Sequence, residues 1–316
     1  MALATRLTRL LGTEHPIIQG GMAWTATAEL AAAVSNGGGL GIIGAGHMPT
    51  EILRDEIRRA KTLTDKPFGV NLMLLTPHID ELVAMVIEEG VHAVTTGAGN
   101  PGKYMAALKE RGIKVLTVVP SVALAKRMES IGADAIIGEG MEAGGHIGEL
   151  TTMVLIPQLA DAVSIPVVAA GGIGDGRGVA AAFMLGAEGV QVGTRFMCAD
   201  ECTIHPEVKE KILKAKDRDT VVTGYSTGHP VRVLKNKLTR QLEQLDRDNN
   251  PEEIERLGSG KLALAMREGD TSMGSLMAGQ VAAMVCRIEP ASQIISEMMG
   301  DAEKLLANGP AILTES

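Results

Sequence analysis

Eight short apolar runs recur through the first two thirds of the chain, at 16–19, 40–44, 68–74, 92–96, 114–119, 135–138, 166–170 and 189–193. A parallel crossover must travel the length of a strand and come back, so one strand with its returning helix takes roughly 20 to 30 residues, and the runs keep that spacing. Eight such units predict an α/β fold, a closed (β/α)8 barrel of the TIM type. A doubly wound sheet usually has fewer strands and carries its nucleotide turn after the first of them. Helical patterns at 26–35, 50–62, 79–89, 103–111, 123–131, 151–163 and 178–185 each set an apolar stripe against solvated positions. Gly112, Gly132 and Gly186 stand just past three of these patterns, where a left-handed residue ends a helix.

After Cys202 the pattern changes. Residues 205–271 are richer in charge and poorer in β-branched runs, which predicts a small, mainly helical insertion after strand 8 on the substrate side. The apolar stretch 275–285 reads as a returning barrel helix, and 290–307 as a last helix. The chain therefore divides into a first barrel part, 1–204, the insertion, 205–271, and C-terminal barrel helices, 272–316.

The richest glycine turns follow runs seven and eight, in Val168-Ala-Ala-Gly-Gly-Ile-Gly174 and Val190-Gln-Val-Gly-Thr-Arg195. Small residues at a strand end let backbone amides approach an anion, and a helix start after the first turn adds its own free N–H groups. Two such turns on neighbouring strands predict a phosphate cradle, in the place where barrels often keep one. The ends of the early strands are also glycine-rich and polar, with Gln19-Gly-Gly-Met-Ala23, Gly44-Ala-Gly46, Thr96-Gly-Ala-Gly99, and Asn71 set inside an apolar strand. A buried amide such as that of Asn71 needs a partner. Run six ends in Gly138-Glu-Gly-Met-Glu-Ala-Gly-Gly-His-Ile-Gly-Glu149. Of the seven histidines, His146 in this glycine loop is the candidate for proton transfer near neutral pH. Glu139 and Glu142, whose spacing fixes no distance between their carboxylates, read as loop solvation.

Composition limits the chemistry. A net charge of −8 argues against a nucleic-acid or anionic-membrane surface, and 2% aromatic residues leave few stacking platforms. Cys198, Cys202 and Cys286, an odd and sparse set, fit reduced thiols, and Cys198, Cys202 and His205 lack recognised zinc spacing, so no metal is expected. The N-terminus has no long apolar segment and no later stretch is long enough for a membrane span, which predicts a cytoplasmic protein. Gly-x-Ser-x-Gly, Walker and His-Glu-x-x-His motifs are absent, so reactivity has to come from a cofactor.

Taken together, Pro16-Ile-Ile-Gln-Gly-Gly-Met-Ala-Trp24, Gly38-Gly-Leu-Gly-Ile-Ile43, Pro67-Phe-Gly-Val-Asn71, Thr95-Thr-Gly-Ala-Gly-Asn-Pro101, Glu142-Ala-Gly-Gly-His-Ile-Gly148, Ala169-Ala-Gly-Gly-Ile173 and Gln191-Val-Gly-Thr-Arg-Phe196 resemble the flavin-dependent enoyl-acyl carrier protein reductases II, the FabK type, within the nitronate monooxygenase-like barrels. The resemblance spans nearly the whole chain. It implies an FMN with its phosphate on Gly171, Gly172 and the Gly193-Thr194 turn. The ring lies over Gly20, Gly21, Met22 and Ala23, Asn71 and Gln191 supply polar contacts, and Gln19, Gly145 and Ile173 complete the cofactor set. It implies His146 as the catalytic residue, a proton donor or a partner for a thioester carbonyl, and NADH or NADPH as reductant of an enoyl thioester. Acyl carrier protein as partner, a monovalent cation and a homodimer are implied in the same way. Arg232, Lys235, Lys237 and Arg240, with Lys209, Lys211, Lys214 and Lys216, form a locally basic stretch that suits an acidic carrier protein. A nitronate monooxygenase, using the same flavin with oxygen as acceptor and His146 as base, is the alternative. A non-redox phosphate-binding barrel is the second.

Overall fold

The computed structural model describes residues 3–46 and 48–309. His47, undecided from sequence, lies outside them. All eight apolar runs are strands: β1 (Ile17–Gln19), β2 (Gly41–Gly44), β3 (Phe68–Met73), β4 (Ala93–Gly97), β5 (Lys114–Val119) and β6 (Ala135–Glu139), then, beyond a two-residue strand β7 (Gly145–His146), β8 (Val167–Ala170) and β9 (Gly189–Val192). They pair in parallel in the order β1-β9-β8-β6-β5-β4-β3-β2. The two ends of that sheet meet at an isolated parallel bridge between Ile18 and Leu40. Gln19 tightens the seam, its side-chain carbonyl accepting from the Ile42 amide at 3.1 Å. The fold is the expected (β/α)8 barrel.

Strands of a closed parallel barrel are covered on both faces, and β1, β2, β8 and β9 are buried along their whole length. The inner layer holds Ile18, Ile42, Ala93, Leu116, Ala135, Ile137, Val168 and Ala170, packed against Leu7 and Leu11 of the helix Arg6–Leu11. Burying two leucines there contributes roughly 1.5–3 kcal/mol each. Gly112, Gly132 and Gly186 take φ of 72°, 98° and 96°, the left-handed conformation that ends the preceding helices.

Two elements differ from the sequence reading. The stretch 275–285 is not a barrel helix: it runs extended, with a bridge from Met277 to Val233, into a short 3-10 turn, Gln280–Met284. The reason is close backbone contact, since a Cβ on Gly144 would stand 2.5 Å from the Ala278 carbonyl carbon. The helix that returns to the barrel is Ala291–Asn308, packed on helices Ala28–Asn36 and Gly176–Met184. The segment 205–271 holds helices Pro206–Leu213, Lys237–Arg247, Pro251–Gly258 and Lys261–Glu268, but also a β-hairpin, β10 (Thr220–Thr223) and β11 (Val231–Leu234). That hairpin adds β7 as a third antiparallel strand, Val231 opposite His146 and Arg232 opposite Gly145.

Candidate active site

In a parallel barrel the C-terminal strand ends share one face, and the glycine-rich segments gather there. Gly21 lies flat against Asn71: a Cβ at Gly21 would sit 2.1 Å from the Asn71 Cβ. Gly44 meets the Met22 backbone in the same way, at 2.5 Å from its carbonyl oxygen, and Met22 Sδ reaches to 3.5 Å from the Cβ position of Gly193. Gly20, Gly21, Met22 and Ala23 thus cross the barrel mouth as a thin shelf joined to β3 on one side and β9 on the other. Asn71 finds a partner on the next strand, its amide donating to the Thr95 hydroxyl at 2.9 Å. Gln19, by contrast, is fully buried and committed to the seam below the shelf.

Gln191 stands beside Gly20, and its side-chain carbonyl is buried with no hydrogen-bond partner among the described residues. A buried unpaired acceptor costs about 1–3 kcal/mol, so this atom is placed for something that donates to it. After β8, Gly171 and Gly172 take φ of 87° and 73° in succession. Only glycine reaches this turn without strain, and at Gly171 a Cβ would also stand 2.7 Å from the Gly140 carbonyl oxygen. The Ile173 side chain belongs to the core. The helix that follows does not offer its N-terminus to a ligand, because the Asp175 carboxylate already accepts from the amides of Arg177 and Gly178, at 2.9 and 3.3 Å. An anion here therefore meets the glycine turn rather than the helix end. The Thr194 hydroxyl accepts from Gly279 at 2.9 Å, tying the β9 turn to the extended segment 275–279.

A sequence-family description matches this arrangement over residues 4–83 and 78–301, that of nitronate monooxygenase. The chain belongs to the nitronate monooxygenase family. The family and its FabK branch are FMN-dependent oxidoreductases. The structure of FabK from Thermotoga maritima superposes with a TM-score of 0.94 at 53% identity, covering 96% of this chain and 97% of that one. A (3aS,4S,5R,7aS)-5-hydroxy-7a-methyl-1-oxo-octahydro-1H-indene-4-carboxyl-CoA dehydrogenase of Mycobacterium tuberculosis is 42% identical over 77% of this chain and 69% of its own length. A probable nitronate monooxygenase of Staphylococcus aureus is 36% identical over 95% of this chain and 98% of its own.

In this nitronate monooxygenase family member the histidine loop is held from three sides. The Glu142 carboxylate accepts from the Thr152 amide and hydroxyl at 3.0 Å, and the same hydroxyl lies 2.8 Å from the Gly171 carbonyl, so loop, helix Thr152–Ala162 and glycine turn are one unit. Gln280 donates to the Glu142 carbonyl at 3.0 Å. On the third side β7 pairs with β11, and Ile147 donates to the Pro230 carbonyl at 3.1 Å. Gly145 (φ 80°) lies under Met277, its Cβ position 3.6 Å from that sulfur. His146 is left with an imidazole that makes no hydrogen bond among the described residues, at the surface of the mouth. Burial of its ring and the neighbouring His229 both hold it below the ordinary histidine value, so it is neutral at pH 7.

Three residues of this region escape the sequence reading. Glu139 does not sit in a solvated loop but ends β6, half-buried, and burial pushes its carboxyl up to about 7. Arg232 is 5% exposed, its guanidinium donating to the Met141 carbonyl at 3.1 Å, so it pins the histidine loop and takes no part in a basic surface. His229 is diagonal to His146 across the β7–β11 pair. The basic stretch loses Lys209 as well, which is buried with its ammonium on the Ala199 carbonyl at 2.6 Å. Lys211, Lys214, Lys216, Lys235, Lys237 and Arg240 remain exposed, and Lys237 and Arg240 line with Arg256 and Glu253 a cleft of about 590 Å³ between helices Lys237–Arg247 and Pro251–Gly258. Cys198 and Cys202 are buried with their thiols pushed up by burial, and the His205 ring caps the next helix by accepting from Glu207. Among the described residues no helix is long and apolar enough to cross a membrane.

Proposed function

We propose that the protein is an FMN-dependent enoyl-acyl carrier protein reductase, reducing a trans-2-enoyl thioester at the expense of NADH or NADPH. The observation that carries this reading is the likeness to Thermotoga FabK at 53% identity over 96% of the chain, which runs through the insertion as well as the barrel. The site suits FMN on its own terms. Gly20 and Gly21 give a shelf without side-chain bulk, Gln191 stands beside it with its carbonyl unpaired among the described residues, and the Gly171-Gly172 turn opens its backbone where a phosphate fits. Gly193 and Thr194 border the same place.

FMN bound there supplies two-electron transfer from the nicotinamide to the thioester. The chain holds, orients and shields. Asn71 and Gln191 fix the ring's polar edge, and Met22 and Met277 keep water from its faces. His146 hydrogen-bonds the thioester carbonyl oxygen and steadies the charge that gathers on it while the substrate's α-carbon takes a proton. The carrier protein docks on the Lys237 and Arg240 cleft, and a homodimer, a monovalent cation and a cytoplasmic location complete the proposal.

One observation favours a second reading. A neutral His146 is already in the form of a general base, which is the state that abstraction of a proton in nitronate oxidation requires. NADH or NADPH oxidation dependent on crotonyl thioester, measured beside oxygen uptake with an alkyl nitronate, separates the two. Thioester-dependent oxidation is expected. Oxygen uptake on nitronate without it overturns the reductase in favour of the oxygenase.

A further inference from the structure

We propose that Arg267, carried by the insertion, is a positioning residue of the flavin shelf, acting through the Trp24 ring that its guanidinium covers; this rests on FMN occupying the barrel mouth. The shelf residues Met22 and Ala23 stand directly before Trp24. Trp24 itself has φ of 62°, the left-handed region that a bulky side chain adopts only where its surroundings impose it. Those surroundings are specific. The amides of Thr25 and Ala26 both donate to the Met22 carbonyl, at 3.1 and 2.9 Å, and close a tight turn. Gly44 presses on the same carbonyl from β2, its Cβ position 2.5 Å from the oxygen, and a Cβ on Gly46 would stand 2.8 Å from that of Ala23. The placing of Met22 and Ala23 under the ring is therefore set by a turn that closes only with Trp24 in a strained conformation.

The insertion supplies the outer wall of that turn. The Arg267 guanidinium lies 4.3 Å from the centroid of the Trp24 ring, and among the described residues it has no ion pair or hydrogen bond to draw it elsewhere. At that distance the negative face of the indole attracts the cation. Its helix, Lys261–Glu268, is a fixed platform. The Met266 carbonyl accepts from the His205 amide and the Lys261 carbonyl from the Ser275 amide, both at 2.8 Å, while Ala265 and Met266 are buried in the main core. A second tie comes from the chain just before the insertion, where the Cys202 thiol donates to the Thr25 carbonyl at 3.8 Å. That bond holds the far side of the turn, and Arg267 holds the Trp24 side. With Trp24 half-buried and Arg267 exposed, the contact clamps the turn from outside and adds no bulk to the shelf. Removing the cation frees the strained residue to relax, and Met22 and Ala23 move with it.

Trp24 is the only tryptophan of the chain, so its emission reports on this turn alone. The test follows that emission without flavin and then through titration with FMN, in the unaltered protein, in Arg267→Gln and in Arg267→Lys. Arg267→Gln should show an altered Trp24 emission and an FMN affinity about two- to fivefold weaker, the effect expected for loss of a cation over an exposed indole. Arg267→Lys, which keeps the charge, should recover most of both. Equal affinity in all three proteins overturns the proposal while leaving the flavin site standing. So does a weaker affinity with unchanged Trp24 emission, and so does an Arg267→Lys protein as weak as Arg267→Gln. An unaltered protein that takes up no FMN overturns the flavin reading, and this one with it. A double-mutant cycle checks the route of action: in a Trp24→Leu background, Arg267→Gln should cost no further FMN affinity by flavin fluorescence, and a second loss of the same size overturns action through Trp24. Should Trp24→Leu fail to fold, the emission series decides alone.

Discussion

Gly21 shows how little room the barrel mouth leaves: one methyl there would overlap Asn71 at 2.1 Å. Overpacking of this kind costs about 1–3 kcal/mol. Gly21→Ala should therefore lower the melting temperature and weaken FMN binding together, measured by thermal unfolding and flavin fluorescence titration; an unchanged affinity would mean the shelf does not touch the ring. His146 has the opposite character, a solvent-exposed residue whose ring is only partly covered by its neighbours. His146→Ala should keep the bound colour and stability while turnover falls; thioester reduction by the unaltered enzyme should persist as pH drops below 6.5, because a charged ring still donates to the carbonyl oxygen, whereas activity lost there would mark the ring as a base. Equal turnover in the variant removes His146 from the mechanism. The glycine turns and His146 are legible in the sequence because their residue types are unusual for a strand end. Glu139 is not. In a strand buried on both faces, Ala135-Ile-Ile-Gly-Glu139 shows no alternation to say which way its last side chain points. Its raised value also has a stability consequence. A carboxyl favoured in its neutral form by folding stabilises the protein below 4.5, and that contribution is lost as pH rises through about 7. Replacing it with glutamine should flatten the stability of the flavin-free protein across that window.

The element that positions the chemistry is the small sheet β7–β11–β10, which draws the histidine loop against the insertion. It was only half legible. Thr220-Val-Val-Thr223 and Val231-Arg-Val-Leu234 are β-branched runs either side of Gly224 and Gly228, a hairpin signal submerged in a charged segment. The third strand, Gly145-His146, is two residues long and has no local signature at all. Its pairing is a tertiary fact. Arg232 fastens this sheet to the loop through the Met141 carbonyl. Arg232→Ala leaves that carbonyl without its donor, so a loss of about 1–3 kcal/mol is expected by denaturant unfolding. Turnover should fall more than flavin affinity, because the histidine loop loosens while the shelf and the glycine turn stay in place. Flavin affinity falling alone would contradict the division of labour.

For the molecule as a whole, the βα period made the barrel readable from spacing, since eight equal units leave a closed ring as the natural arrangement. The return helix was misplaced because 275–285 is apolar for a different reason: it runs extended over Gly144 and Gly145 and adds Leu276, Ala278, Ala282 and Val285 to the barrel's core. In a chain of net charge −8, the cleft lined by Lys237, Arg240 and Arg256 is a local exception within the insertion. Lys237→Glu with Arg240→Glu should raise KM for a carrier-linked enoyl substrate far more than for a CoA-linked one; equal effects would place the dock elsewhere. The central claim is that the barrel mouth passes electrons from a nicotinamide to an enoyl thioester through FMN. Anaerobic mixing of the FMN-loaded protein with NADH or NADPH, then with crotonyl thioester, tests it most directly. The yellow absorbance should bleach in the first step and return in the second. A colourless protein, or a bleached one that the thioester leaves unchanged while oxygen restores its colour, would contradict it.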